Sequence, residues 1–182
     1  AVQGKLKQLN IDGMRIDRLE RDLQLEALGL TPPIDFAKAD ALAQALDQLD
    51  ALEQKKALDR YLKDQRDTGN PRGFVKLIVR LTDGRMLQPR YVAMLLDWMK
   101  RSKTGNDRLR SGFPQGWIVA HRSGTSATVA GVTAAFNDVA YAIGPKGQRI
   151  ALALFISGAS GSAKDLALFH KAAARAVYEA WS

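Results

Sequence analysis

Cysteine is absent from this 182-residue chain, and histidine occurs only twice, at His121 and His170. Without cysteine the chain can form neither a disulfide nor a thiolate metal site, and the absence fits a cytoplasmic as well as a periplasmic protein. Two histidines so far apart in sequence argue against a zinc enzyme. The composition therefore argues against a cysteine or zinc site, and we expect neither a metal nor a cofactor.

Long apolar runs are also absent, and the first residues show no signal-peptide pattern. A hydrophobic fraction of 46% and a charged fraction of 25% are ordinary for a globular protein, and the length suffices for one domain with a sizeable core. The net charge of +8, from 27 basic and 19 acidic residues, would suit a nucleic acid, an acidic surface or an anionic substrate. Because the basic residues are dispersed and accompany no nucleic-acid-binding motif, we predict a solvated charged surface, with neither nucleic acid nor membrane as partner.

Helical periodicity covers much of the chain. The first ten residues have the spacing of a helix already under way, without a preceding cap, which predicts that another segment or another chain comes before Ala1. From residue 34 to residue 63 apolar residues recur at steps of three and four, as in an amphipathic helix or helical hairpin that Asp35 could cap. That segment could pack on its own domain or bind a partner. Further helices are predicted over residues 72–81, 88–100 and 164–181, the first of them capped by Thr68 or Asn70 with Pro71 at its first position.

Strand patterns dominate the last third of the chain, whereas residues 11–24 fit no long period and are predicted to form an ordered loop. Residues 132–143 and 149–156 have strand composition and are joined by a Gly-Pro-Lys-Gly turn, and an apolar strand begins before them at residue 118. Together they predict an antiparallel meander of three strands. The expected fold class is α/β (α+β), an antiparallel sheet flanked by helices.

Residues 112–126 (GFPQGWIVAHRSGTS) change abruptly from apolar to polar within one strand. A glycine among cationic and hydroxyl residues lets a ligand approach the backbone, so this stretch is a candidate wall of an anion-binding site. Such residues also mark the point where a strand leaves the core, and the stretch alone does not separate the two interpretations. The triplet at residues 103–105 (KTG) has no strand pattern around it, and we predict no such role for it.

Several separated stretches resemble, in order, the motifs of class A serine β-lactamases. Residues 15–24 (RIDRLERDLQ) resemble R-L-D-R-x-E-x-x-L-N, and residues 64–71 (DQRDTGNP) resemble the D-x-R-D-T-T-T-P that closes the family's omega loop. Residues 108–117 (RLRSGFPQGW) are similar to R-x-R-x-G-x-P-x-x-W. The remaining matches are residues 97–99 (DWM) at a helix end, 121–125 (HRSGT) at the K-T-G position, and 137–138 (ND). The resemblance implies a fold like that of serine β-lactamases and penicillin-binding proteins, with residues 1–182 as its C-terminal portion, incomplete in this chain.

The resemblance assigns the hydrolytic step to the first of these stretches. Glu20 would be the general base that, through a water molecule, drives hydrolysis of the acyl-enzyme, because this chemistry needs an ionised carboxylate within hydrogen-bond reach of the water. Gln24 stands where an asparagine usually helps to hold that water. Its amide has the same donor and acceptor but one more methylene, which alters the expected water geometry.

Substrate recognition would fall to the polar strand. Arg122 replaces the usual lysine, as in carbenicillin-hydrolysing relatives, and would keep a permanent positive charge near the substrate carboxylate. Ser123 and Thr125 would bind that carboxylate through their hydroxyls, beside Gly124, and the Thr125 backbone N–H would form half of the oxyanion hole. Arg108 matches an arginine that assists carboxylate binding in some members.

The omega loop departs from the family pattern. Arg18 and Asp67 would be the ion pair that clasps its two ends. Residues 25–63 look like a helical insertion between them, which could widen access for bulky substrates or simply cover the domain. Glu20 is followed by Arg21 where proline is common, and a cis peptide there would be costly without proline.

The motifs that carry the nucleophile are missing, because the chain contains neither Ser-x-x-Lys nor Ser-Asp-Asn. The resemblance thus implies β-lactam hydrolysis by acylation and Glu-assisted deacylation only with a companion N-terminal segment or polypeptide, in a periplasmic or secreted protein. The substrate partner would be a β-lactam antibiotic. Two alternatives are a non-catalytic binding module derived from the same fold and a penicillin-binding DD-peptidase-like protein, against which Glu20 argues.

Overall fold

An antiparallel sheet lies at the centre of the protein. The structure is a computed structural model, and it describes residues 2–31, 34–35, 37–38, 40–84 and 86–181. Within those residues its strands are β1 (Ile118–Thr125), β2 (Thr128–Val129), β3 (Val132–Ile143) and β4 (Arg149–Ala159). β3 is the central strand, since the other three all pair with it. Arg122 lies opposite Val139 and Gly124 lies opposite Asn137. The predicted meander is confirmed; β2 is too short for periodicity to indicate.

Helices pack against this sheet and against one another. They are α1 (Val2–Gln8), α2 (Glu20–Ala27), α3 (Ala41–Asp47), α4 (Ala51–Lys63), α5 (Pro71–Thr82), α6 (Pro89–Lys100) and α7 (Ala163–Trp181), with a short 3-10 helix at Leu109–Gly112. The α+β class with helices flanking an antiparallel sheet is therefore confirmed. None of the helices in the described residues is long and apolar enough to cross a membrane.

The main core lies between the sheet, the 3-10 helix and α7. Its buried members are Leu109, Phe113, Val119, Ala140, Ala142, Ile150 and Ala174. The 3-10 helix approaches α7 so closely that a Cβ on Gly112 would lie 2.4 Å from the Lys171 carbonyl oxygen and 2.6 Å from the Ala174 Cβ. A residue without a side chain is needed there, because that separation is shorter than van der Waals contact.

Two smaller clusters attach the remaining helices. Leu6, Ile11 and Met14 pack beside α5, next to Phe74 and Leu77. A second cluster joins α4 to the strands β2 and β3 through Leu58, Val129 and Ala134, with Tyr61 packed against it. The helical segment that includes α4 is thus packed on the sheet through buried apolar side chains, and burial of this apolar surface stabilises both.

The prediction of a loop over residues 11–24 is wrong at its end, because α2 begins at Glu20 and continues to Ala27. This helix is only eight residues long and has little apolar periodicity, so the pattern did not reveal it. Glu20 and Asp22 occupy its first turn, where carboxylates interact favourably with the helix dipole. Glu20 is consequently held on the first turn of a helix.

The segment over residues 34–63 contains two helices, α3 and α4, consistent with the helical hairpin. Asp35 caps neither of them: its carboxylate accepts from the Ala37 N–H at 3.1 Å, a local turn contact. The cap of α4 is Asp50, which accepts from the Glu53 N–H at 2.7 Å. Two apolar positions of the predicted pattern, Phe36 and Ala39, lie outside the described residues.

The start of α5 follows the sequence rules closely. Asn70 accepts from the Gly73 N–H at 2.8 Å, and Pro71 is the first helical residue. Because proline has no N–H to leave unpaired and asparagine satisfies one free donor, this pair begins a helix efficiently. Asn70, one of the two predicted caps, is confirmed as the cap.

Candidate active site

Asp67 joins residues 17–18, which precede α2, to residues 64–67, and we call this junction the loop closure. Its Oδ2 accepts from the Arg18 Nε at 2.6 Å, and its Oδ1 accepts from the backbone N–H groups of Asp17 and Arg18 at 2.6 and 3.0 Å. Burial alone would raise the pKa of Asp67, but these hydrogen bonds outweigh it and hold the pKa below its ordinary value. The ion pair predicted between Arg18 and Asp67 is present.

The Arg18–Asp67 ion pair, which we call the clasp, is part of a larger network of charged side chains. Arg18 Nη1 also pairs with Glu26, and lies 3.2 Å from Asp64 Oδ2. Arg66 Nη2 contacts the same two carboxylates, at 2.9 Å from Glu26 Oε2 and 2.7 Å from Asp64 Oδ2. Hydrogen bonding from Arg66 lowers the pKa of Asp64. Two arginines and three carboxylates therefore fix the loop closure.

Glu20 and Gln24 face each other across one turn of α2. The Gln24 amide donates to Glu20 Oε1 at 2.9 Å, and both side chains are exposed. An ionised carboxylate oriented by a neighbouring amide is able to accept a proton from a water molecule. The arrangement can supply a general base whose direction is set by the helix.

Arg122 projects from β1 into solvent. Its side chain is exposed, and it makes no hydrogen bond or ion pair with any residue that the structure describes. A guanidinium is always charged at neutral pH and presents donors in a planar fork. This cation is free to bind an oxyanion.

Arg108 lies behind the polar end of β1, largely buried. Its Nη2 donates to Thr125 Oγ1 at 2.5 Å, and its Nη1 donates to the carbonyl oxygens of Gly124 and Asn137 at 3.2 and 2.8 Å. The guanidinium also stacks over the Phe136 ring, 3.5 Å from its centroid. Burial lowers the pKa of Arg108. In this arrangement Arg108 orients the Thr125 hydroxyl, so that its proton is available for a ligand.

Thr104 is a contact that the sequence interpretation missed. Its Oγ1 lies 3.1 Å from Ser123 Oγ, so the loop over residues 101–108 touches the wall of the site. The triplet at residues 103–105, predicted to have no role, supplies this hydroxyl. A loop that reaches a strand only in the folded protein leaves no periodic signal around such a triplet.

His121 and Asp138 support the wall from the core, and both are fully buried. His121 Nδ1 lies 3.1 and 3.0 Å from the two carboxylate oxygens of Asp138, and Asp138 Oδ2 accepts from the Leu109 N–H at 3.2 Å. With a proton on Nδ1, the imidazole donates this hydrogen bond and the carboxylate accepts it. Asp138 thus links β1 to the backbone next to Arg108. The signal in the sequence was a histidine within an apolar strand.

A cavity of about 320 Å³ opens beside β1 and brings the wall together with the loop closure. It is lined by Asp67, Gly69, Phe74, Arg122, Ser123, Gly124, Asn137, Asp138, Val139 and Phe155. Arg108 adjoins the cavity through its hydrogen bond to the Gly124 carbonyl oxygen, and Thr125 follows Gly124 along β1. Glu20 and Gln24 are not among the lining residues. The structure therefore joins the strand wall to the clasp, and places the carboxylate of Glu20 outside this cavity.

The chain is similar in sequence to β-lactamases. A sequence model of the beta-lactamase enzyme family matches residues 12–181. The β-lactamase of Mycobacterium tuberculosis is 34% identical over 121 residues, which are 66% of this chain and 38% of the relative. The carbapenem-hydrolyzing β-lactamase KPC of Klebsiella oxytoca is 33% identical over 117 residues, 64% of this chain and 38% of the relative.

Solved structures of similar fold include a β-lactamase from Chitinophaga pinensis, with a TM-score of 0.73 and 22% identity over 100% of this chain and 54% of that one. A variant of the last common ancestor of Gram-negative class A β-lactamases gives a TM-score of 0.70 and 24% identity, over 99% of this chain and 53% of that one. The chain thus spans about half of these structures, and 38% of the curated relatives above. With a class A fold and a family match over nearly its full length, the chain belongs to the β-lactamase enzyme family.

Proposed function

We propose that this chain supplies the deacylation base and the carboxylate-binding wall of a serine β-lactamase. The observation that carries the substrate-binding part of the proposal is the cavity in which Arg122, Ser123 and Gly124 meet the clasp residue Asp67. The part that concerns the base is supported by the Gln24–Glu20 hydrogen bond on α2, outside that cavity. A free guanidinium beside hydroxyls and an exposed glycine suits the carboxylate of a β-lactam. Since the chain contains no Ser-x-x-Lys, the nucleophile would come from a companion segment.

Hydrolysis then proceeds in two steps. The companion's serine oxygen attacks the β-lactam carbonyl, the amide C–N bond breaks with protonation of the nitrogen, and an ester remains on the serine. Glu20 next takes a proton from a water molecule as the water oxygen attacks that ester. The Thr125 N–H stabilises the oxyanion of the tetrahedral intermediate. Its C–O bond to the serine then breaks, the proton held by Glu20 passes to the leaving serine oxygen, and a ring-opened acid is released. Gln24 holds Glu20 in position for this proton transfer.

Arg108 supports the substrate wall in this proposal. It acts through Thr125, whose hydroxyl oxygen it engages at 2.5 Å. The Thr125 hydroxyl and Arg122 would contact the substrate carboxylate directly, next to Ser123. The mature enzyme would be exported, as the resemblance implies.

The test combines this chain with a polypeptide that bears Ser-x-x-Lys and Ser-Asp-Asn, and follows hydrolysis of a chromogenic cephalosporin. We expect turnover by the combined chains, and we expect Glu20→Gln to accumulate a penicillin adduct on the companion, seen by intact mass. Removing a general base typically lowers the rate about 100-fold or more. Glu53→Gln is the matched control, because Glu53 is an exposed helical glutamate on α4.

Normal turnover by Glu20→Gln would contradict the role given to Glu20. If the combined chains bind penicillin but never hydrolyse or acylate it, the chain is a non-catalytic binding module. If penicillin acylates the companion, the unmodified chain does not hydrolyse the adduct, and the combined chains cleave a D-Ala-D-Ala peptide, the result favours a DD-peptidase.

A further inference from the structure

A second cavity lies away from β1, between α4 and the loop closure. Its volume is about 440 Å³, within the usual range for small-molecule sites. It is lined by Arg18, Glu26, Gly29, Leu30, Thr31, Ala57, Arg60, Tyr61, Lys63, Asp64 and Arg66. Many of these residues belong to the segment over residues 25–63, which has no role in the proposed hydrolysis.

The carboxylates of this cavity are already neutralised. Glu26 and Asp64 each pair with both Arg18 and Arg66. Asp67 adds a third negative charge to the same network from outside the cavity. Both carboxylates that line the cavity are thus already paired with two guanidinium groups, which leaves neither of them free to bind a cation.

Several donors around the cavity remain unused. Arg60 and Lys63 lie in the last turn of α4, are exposed, and make no hydrogen bond or ion pair with the described residues. The Arg18 side chain is 9% exposed, and its Nη2 is buried without a hydrogen-bond partner. A buried donor without a partner costs free energy, which a suitable ligand or a water molecule would recover.

Tyr61 is a fourth hydrogen-bond donor that lines this cavity. Its hydroxyl makes no hydrogen bond to the described residues, and burial raises the pKa of Tyr61 above its ordinary value. The hydroxyl therefore stays protonated at neutral pH and can donate to an anion. Four cations line the cavity against its two carboxylates, and the charge balance stays positive when the adjoining Asp67 is included.

We propose that this cavity binds a small oxyanion carrying two or more negative charges, held by Arg60, Lys63 and Tyr61 with Arg18 beneath it. Phosphate and carboxylate groups share the required chemistry, because both accept several charge-assisted hydrogen bonds. The ligand would lie against the guanidinium that clasps Asp67. This site is separate from the β-lactam wall, and its existence does not depend on hydrolysis.

The test measures the affinity of the chain for pyrophosphate and for citrate by calorimetry at constant ionic strength. We expect saturable one-to-one binding of at least one probe, and about tenfold or greater weakening in the double variant Arg60→Gln/Lys63→Gln. The control Lys55→Gln/Lys56→Gln removes the same charge from the same helix but outside the cavity, and should change affinity by less than about twofold. The preferred probe tells whether the site favours phosphate or carboxylate.

An NMR titration reports whether the probe binds next to Arg18. The Nε–Hε NMR signal of Arg18 should shift on titration of the unmodified chain, with the same dissociation constant as calorimetry gives. Equal weakening in both double variants would overturn the proposal, since it would show attraction to surface charge only. An absence of saturable binding by both probes, or an unmoved Arg18 signal at saturation, would overturn it as well.

Discussion

Asp67 is the residue whose ionisation most directly ties loop structure to pH. Hydrogen bonds from Arg18 and the backbone hold its pKa below the ordinary value of 3.8. A carboxyl whose pKa is lowered on folding stabilises the folded state above its unfolded pKa, and that stability is lost as pH falls through the folded pKa. Asp64 contributes in the same direction.

We therefore expect the chain to lose stability steadily as the pH is lowered below about 4. Asp67→Asn should cost about 1–3 kcal/mol at pH 7 and much less in acid, so its pH dependence should be flatter. Urea unfolding between pH 2.5 and pH 7 measures both. Asp59→Asn, on an exposed face of α4, is the control and should keep the slope of the unmodified chain. A slope in Asp67→Asn equal to that of the control would contradict the assignment.

At the scale of elements, the loop before the 3-10 helix must come very close to β1. A Cβ on Gly105 would lie 2.7 Å from the Ser123 Cβ and 2.8 Å from its Oγ, and the φ angle of Gly105 is +70°. This approach is what allows Thr104 to reach the Ser123 hydroxyl. Glycine at this position thus sets the distance between loop and wall.

Gly105→Ala should destabilise the chain more than Gly147→Ala does, by about 1–3 kcal/mol in urea unfolding. Gly147 is a matched control, because its φ is +82° but a Cβ there would meet nothing within 4 Å. The comparison removes the shared cost of a left-handed backbone and leaves the steric cost. Equal losses in the two variants would show that the loop moves away from Ser123 without penalty.

At the scale of the whole molecule, large apolar side chains remain exposed at several surfaces. Trp98 on α6 is 58% exposed and Trp181 at the end of α7 is 69% exposed, whereas Trp117 packs between Phe113 and Tyr178. The similar solved structures are about twice as long as this chain. Under the proposed function, the companion segment would cover such surfaces.

Adding the companion polypeptide should therefore shift the tryptophan emission to shorter wavelength, because Trp98 and Trp181 would move from water to an apolar contact. The variant with both replaced by phenylalanine should lose most of the shift, and Trp117→Phe should retain it. A shift that survives in the double variant, or none on binding, would place the companion elsewhere.

Local patterns account for the parts of the fold that the sequence predicted well. The long strands, α5, α6 and α7 each depend on apolar spacing or capping within a few residues, and such signals are readable without a structure. Asn70 and Pro71 at the start of α5 are an example. The shorter elements were not predicted, because α2 has eight residues and β2 has two, which are too few to show a periodic pattern.

The sequence by itself determined the family, because its short motifs occur in the order of that family, and the family match over residues 12–181 confirms it. Which of these residues meet was decided only by the tertiary structure. Arg108 binds the Thr125 hydroxyl, and His121 holds Asp138, across separations of 17 residues in each pair. Contacts at such distances follow from sheet register and helix packing, which no local pattern encodes. The charged cavity beside α4 arises in the same way, from two segments that folding brings together.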